Sequence, residues 1–341
     1  MKHHKHYFYL FPILFSCSTQ HSPTPAPQLT NNNYVNATKI QDSRNVSYII
    51  NNNRTSIANL TDSSGQVHIT IWQDSISGTK NNLAVEVDSN YVCIGGGAYI
   101  DYGNGNGALL TQSSPLSKAA GNNVGTNFTT WAASSTDHIY PNTHKLYVYS
   151  IGIKLDSLPT QSLKNQLLWL AITSSSGEIP SASVSAPEGY VLISGGACAT
   201  YDSGAGSFLT SSYVPIQYQT PSTWFASSTY HYSQDNAIIS SYGLFINPVI
   251  PNWGTLKINN KYSPGNTVFP GGIASETVFI DQGWVLSGIC AQSIYDISQP
   301  ARMLFSMYPS NNGLSVTAQS KDQYYSSSGS VLAQLFEIKK Q

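Results

Sequence analysis

Residues Asp101 to Gly107 read Asp-Tyr-Gly-Asn-Gly-Asn-Gly. Asp101, Asn104 and Asn106 set three side-chain oxygens on a glycine-softened turn, a donor set that a calcium ion accepts. Only one of the three is a carboxylate, and the distal glutamate of an EF-hand is absent. A plain Asn-Gly turn therefore accounts for the stretch without a metal. Further on, Asp137 and His138 put a carboxylate beside an imidazole, the pairing that general-base chemistry uses. His231 repeats that histidine, but Tyr230 stands where Asp137 stood. No Gly-x-Ser-x-Gly elbow occurs anywhere, so an esterase-like nucleophile is not indicated. Tyr102, Tyr201 and the neighbouring Asp202 combine aromatic faces with short polar groups, a mixture suited to sugar rings. Asp101, Tyr102, Asn104, Asn106, Asp137, His138, Tyr201, Asp202 and His231 are thus the candidate ligand-binding residues. None is assigned a catalytic role, and neither a metal nor a cofactor is implied.

The elements that carry these residues are written three times. Tyr91 to Pro115 (YVCIGGGAYIDYGNGNGALLTQSSP) returns as Tyr190 to Pro215 (YVLISGGACATYDSGAGSFLTSSYVP) and again as Trp284 to Pro309 (WVLSGICAQSIYDISQPARMLFSMYP). Self-similarity at this spacing is the signature of a repeat architecture. Apolar residues alternate over five to eight positions between clusters of Gly, Asn, Asp, Ser and Pro, the pattern of short strands and tight turns. Val67, Ile69 and Ile71 share one face; Tyr147, Tyr149, Ile151 and Ile153 share another. The reading is all-β: three tandem antiparallel units of about five strands each, over 66–160, 166–250 and 254–341. They are packed either as a pseudo-threefold array or as consecutive small sandwiches. Trp131 and Trp224 recur in phase with the strands and read as core. Cys93, Cys198 and Cys290 read as buried thiols, with Cys198 and Cys290 at matching places.

Composition narrows the class. The chain of 341 residues has 16 basic and 17 acidic residues, only 10% charged in all, and 22 tyrosines. A typical soluble domain is roughly a quarter charged. A net charge of −1 supplies no basic field, so nucleic acid is excluded as a partner. Residues 1–17 combine Lys2 and Lys5 with a short apolar stretch, the layout of a signal peptide. Residues 18–65, rich in Ser, Thr, Asn and Pro, read as a disordered tether.

Two resemblances follow from these residues. Leu14-Phe15-Ser16-Cys17 resembles the bacterial lipobox, which implies lipidation at Cys17 and anchoring to a membrane. The order Tyr-Val-x-Ile-x-Gly-Gly-Ala, Leu-Thr-x-Ser-x-Pro, Trp-x-x-Ser-Ser and a closing Tyr-x-Ile-Gly resembles a repeat of bacterial secreted proteins of uncharacterised function. It spans roughly 83–155, 181–246 and 274–338. Ser287-Gly288-Ile289 and Val316 depart from it in the third copy. That resemblance implies a secreted β-repeat and carries over no catalytic residue. The expected function is a surface-anchored or secreted binding or adhesion protein, its ligand a glycan or other cell-surface group met through loops of the repeats. The alternatives are a structural envelope component and a secreted hydrolase.

Overall fold

The computed structural model describes residues 38–41, 47–50, 53–101, 103, 107–116, 128–137, 140–201, 206–215, 221–231, 234–296, 301–322 and 325–341. Cys17 and the signal-like start lie outside them. Three strands precede the first block: β1 (Thr38–Gln41), β2 (Ser47–Ile50) and β3 (Thr55–Thr61). Block one holds β4 (Val67–Gly78), β5 (Lys80–Glu86), β6 (Val92–Asp101), β7 (Ala108–Pro115), β8 (Thr130–Asp137) and β9 (His144–Leu155). A single helical turn, α1 (Thr160–Lys164), leads into block two. That block comprises β10 (Leu167–Thr173), β11 (Ser181–Ser185), β12 (Val191–Tyr201), β13 (Ser207–Tyr213), β14 (Thr223–Tyr230) and β15 (Ala237–Ile246). After the short β16 (Val249–Ile250), block three runs β17 (Gly254–Tyr262), β18 (Ala274–Phe279), β19 (Val285–Tyr295), β20 (Arg302–Pro309), β21 (Ser315–Asp322) and β22 (Gly329–Lys340).

Two expectations are corrected. The tether assigned to 18–65 gives way to strand from Thr38 onward: Tyr48, Ile49 and Ile50 are buried, the polar run around them notwithstanding. And each block contributes six paired strands, where alternation suggested about five. The all-β reading itself holds.

One hydrogen-bonding scheme serves all three blocks. The sixth strand pairs with the first and with the third. The fifth pairs with the second and with the fourth. Fourth strands then cross to the next block: β7 pairs with β12, β13 with β19, and β20 with β6 of block one. Each sheet is therefore half one block and half the next, and the chain closes on itself. The first sheet runs β1-β2-β5-β8-β7-β12-β15-β10; the second β11-β14-β13-β19-β22-β17-β16; the third β18-β21-β20-β6-β9-β4-β3. Independent sandwiches strung along the chain are ruled out, because no sheet belongs to a single block. Closure also covers the edges that a lone six-strand unit would leave unpaired at its third and fourth strands.

The glycine run sits where the blocks meet. A β-bulge interrupts each third strand at the same register, between Cys93 and Gly95, Leu192 and Ser194, and Leu286 and Gly288. A Cβ on Gly95 would lie 2.6 Å from the Ser287 carbonyl oxygen, and one on Gly288 2.8 Å from that of Ile193. Backbones approach there too closely for a side chain. The following position faces the tryptophan: a Cβ on Gly96 would stand 2.3 Å from Trp131, and one on Gly195 2.3 Å from Trp224. In block three the matching residues are Ile289 and Val316. The small–large pair is replaced by two of middling size, a swap that keeps core volume. The indole N–H groups of Trp131 and Trp224 donate to Ser113 Oγ at 3.1 Å and Ser212 Oγ at 3.2 Å. Where Trp becomes Val316, that serine becomes Met307, so no hydroxyl is left buried without its donor.

Candidate functional site

Every candidate residue read from the sequence falls at one kind of place: the corners after the third and fifth strands. Asp101 and Tyr201 end β6 and β12; Asp137 ends β8, and His231 follows β14. Tyr102, Asn104, Asn106, His138 and Asp202 lie outside the described residues. The third-to-fourth and fifth-to-sixth corners gather at the same end of each block, because strands three and six pair antiparallel throughout.

The described members are tied into the fold. Asp101 Oδ1 accepts the Gly103 N–H at 3.2 Å, an Asx-type turn that closes the loop on itself. His231 is 2% exposed and packs edge-on against the Phe208 ring, centroids 5.3 Å apart. Burial, reinforced by Lys321, pushes it down to about 4, so it stays neutral at physiological pH. Tyr201 is pushed upward by burial, with Asp235 adding to the shift. Among the described residues, no group of three or more His, Cys, Asp or Glu is placed to hold a metal ion.

Asp137 meets a different histidine from its sequence neighbour. His144, the first residue of β9, is buried with Nε2 2.7 Å from Ser135 Oγ and Nδ1 3.1 Å from the Asn142 carbonyl. The Asp137 carboxylate lies 3.7 Å from Nδ1 and accepts the Asn142 N–H at 3.1 Å. Burial lowers His144 and raises Asp137. The neutral imidazole therefore donates from Nδ1 to the carbonyl and accepts at Nε2 from the serine. The order Ser-His-Asp echoes a hydrolase, but Ser135 is 3% exposed and His144 2%, leaving no approach for a substrate.

Block three shows what this corner is for. Asp322 stands where Asp137 stands, and Arg302, fully buried, pairs with it. The guanidinium also donates to the carbonyls of Ser327 at 2.7 Å and Ser320 at 3.1 Å. A Cβ on Gly329, the register match of His144, would lie 2.5 Å from Arg302 Cδ. Two side chains from different strands thus fill one space and tie the same acid to the next strand. Block two has Tyr230 and Ala237 there and needs no such tie.

A second group, unassigned by spacing, lies on the face of the third sheet opposite Trp131. Four tyrosines from three strands and two blocks converge there: Tyr308 on β20, Tyr99 on β6, Tyr147 and Tyr149 on β9. Ring centroids are 4.9 Å apart for Tyr99–Tyr308, 5.7 Å for Tyr99–Tyr147 and 6.1 Å for Tyr149–Tyr308. Tyr99, Tyr147 and Tyr308 are half-buried; Tyr149 is 4% exposed. Burial and the three neighbouring phenols push the Tyr149 hydroxyl far up, so it acts as a neutral O–H group. Flanking groups are polar: Ser306 Oγ donates to Gln319 Oε1 at 2.7 Å, and Lys145 Nζ lies 4.7 Å above the Tyr147 ring. Lys145 lies opposite Asp101 in register, so charges of both signs border the patch.

The alternation that put Tyr147 and Tyr149 on one face was legible in the sequence. That Tyr99 and Tyr308 join them depends on β20 closing onto β6, a pairing between residues about two hundred apart. Trp131 and Trp224 are fully buried core residues, as expected, and do not face a ligand. Cys93, Cys198 and Cys290 are buried thiols; burial pushes Cys93 up to about 12 and Cys290 upward. Their matching is corrected: Ala197 and Ala291 occupy equivalent registers, opposite Ser113 and Ser212, so Cys198 follows that position while Cys290 precedes it. The chain matches no protein-family model, and no curated protein matches it either.

Proposed function

We propose that this chain is an exported binding protein of a cell surface, anchored through Cys17 and directed at a glycan. The three blocks are read as copies of one unit around a pseudo-threefold centre. One observation carries the functional part: the half-buried tyrosine patch occupies positions that the other two sheets fill differently. Tyr99 matches Cys198 and Gln292; Tyr147 matches Ser240 and Leu332. The fold does not require tyrosine there, so a surface role accounts for it. Phenols flanked by serine, glutamine and one lysine suit a polyhydroxylated ligand.

Multivalency through three equal units, which the repeat suggests, is not what supports this reading; a single patch per chain is. Saturable binding of the full chain on a glycan array tests it, and flat responses across the array remove it. Metabolic labelling with a fatty acid, compared between wild type and Cys17→Ser, tests the anchor separately.

A second reading, a structural envelope component, is favoured by the closed ring of sheets, whose third and fourth strands expose no edge at the junctions. It predicts no saturable ligand at all. A hydrolase built on Ser135, His144 and Asp137 is disfavoured by their burial. Turnover of a surface polymer that disappears in His144→Ala while the fold persists would reinstate it.

A further inference from the structure

The tyrosine patch specifies how a sugar is read, and that conclusion rests on the glycan reading above. Side chains on a strand stand roughly perpendicular to the sheet. The four rings pack largely face to face or tilted: 27° between Tyr99 and Tyr147, 26° between Tyr149 and Tyr308, 38° between Tyr99 and Tyr308. Lys145 Nζ covers a further face of Tyr147. The faces that a sugar would stack upon are therefore spent on one another. What the cluster offers outward is edges, and each edge ends in a hydroxyl.

The convergence is set by the backbone. Ser306 lies opposite Tyr99, and Tyr99 opposite Tyr147. Two residues along, Gly97 lies opposite Tyr149. A Cβ on Gly97 would be 2.3 Å from the Met307 carbonyl oxygen. A bare glycine there brings β20 against β6, and its missing side chain leaves room for Tyr308 and Tyr149 to meet above it. Neighbouring centroids then repeat at 4.9 to 6.1 Å, close to the length of one pyranose ring.

We propose that the half-buried phenols of Tyr99, Tyr147 and Tyr308, backed by the buried Tyr149, bind a neutral, linear pyranose chain by hydrogen bonds to its hydroxyls, the chain lying across the strands with one sugar per exposed tyrosine edge. Each phenol donates one hydrogen bond and accepts others, matching a sugar hydroxyl that does both. A neutral ligand is preferred because Lys145 and Asp101 lie opposite each other in register, setting charges of both signs at the patch's edge. Among the described residues neither of the other sheets repeats the site: the matching face of the first sheet is closed over by Tyr48, and the second sheet places Gln292 and Leu332 where Tyr99 and Tyr147 stand.

The test separates hydroxyl from ring. Full-length protein is titrated with neutral linear oligosaccharides of one to six hexoses, beginning with the best array hit. Tyr147→Phe and Tyr308→Phe keep the packed rings and remove only the oxygen. Each is expected to weaken binding about tenfold, the worth of a lost hydrogen bond, with the urea midpoint unchanged. Affinity is expected to rise with chain length to about three sugars and then level off, and sodium sulfate is expected not to compete. Phenylalanine variants that bind within twofold of wild type overturn the hydroxyl mode while leaving glycan binding intact. Competition by sulfate overturns it in favour of an anion site. A wild-type protein that binds no member of the series removes the glycan reading itself.

Discussion

The first and third sheets are built on one pairing scheme and wear different outer faces. At matched registers the third sheet carries Ser306, Tyr308, Tyr99, Tyr147 and Tyr149; the first carries Gln112, Ser114, Cys198, Ser240 and Tyr242. In the first sheet Tyr48 of β2 reaches over this face, its hydroxyl donating to Gln112 Oε1 at 2.5 Å. Gln112 Nε2 donates in turn to Ser114 Oγ at 2.8 Å, and Ser134 Oγ donates to Gln112 at 3.2 Å. All of these residues are buried. One face is closed by the chain's own N-terminal strand; on the other, among the described residues, Tyr99, Tyr147 and Tyr308 stay half-exposed. Side chains alternate across a strand, so a fold that fixes the inner set leaves the outer set to vary from copy to copy.

The largest expected effect comes from uncovering the closed face. Removing residues 1–52 strips away Tyr48, Ile49 and Ile50, each buried against the first sheet. This should lower unfolding free energy on the order of 5 kcal/mol, read as a shifted urea midpoint. An unchanged midpoint would mean that β2 closes nothing, and the contrast between the sheets would fail.

Next are the corners. Arg302→Leu leaves Asp322 buried without its cation, and a cost of about 3 to 5 kcal/mol is expected. The same corner in block one holds a neutral imidazole, so His144→Ala should cost less, about 2 kcal/mol. Equal costs in denaturant titrations would show that charge does not distinguish the two ties.

Acid should act through His231. Its folded value, about 4, lies below the ordinary 6.5 because burial penalises the cation. The stability it contributes is therefore complete above 6.5 and is lost as pH falls from 6.5 through 4, by up to about 3 kcal/mol. His144, also lowered, adds to the loss in the same direction. Lys321, pushed down to about 7 by burial, gives a slope of the same sign at higher pH, between 10.5 and 7. A His231→Gln variant should flatten the profile between pH 6.5 and 4; chemical denaturation across that range decides it, and an undiminished slope would acquit the histidine.

The smallest effect sharpens the comparison most. Tyr48→Phe removes only the hydroxyl that bonds Gln112 and should cost about 1 kcal/mol. The same change at Tyr147, on the face of the half-exposed tyrosines, should leave stability within error. Thermal or urea melts of the two variants side by side measure the difference.

Much of the fold was legible because a strand writes its environment in a two-residue period. Val67, Ile69 and Ile71 face inward as their alternation required. The third copy's departures from the repeat, Ile289 and Val316, were visible as differences but not as a matched pair. Only the structure, which sets Gly96 against Trp131 and Gly195 against Trp224, shows that these two positions change together. The candidate residues at the corners were found because loops carry Asp, Asn and His in recognisable clusters. Their roles were not, since spacing alone cannot tell a histidine pressed against Phe208 from one open to solvent.

By itself the sequence determined strand type and the glycine steps, because alternation, turn residues and close backbone approach are local demands. Tertiary structure alone decided which blocks share a sheet, that β20 returns to β6, and so that four tyrosines from distant segments stand together. Pairing partners in a sheet are chosen by the fit of whole faces and the closing of edges, and that choice is made between segments that carry no mark of one another in the chain.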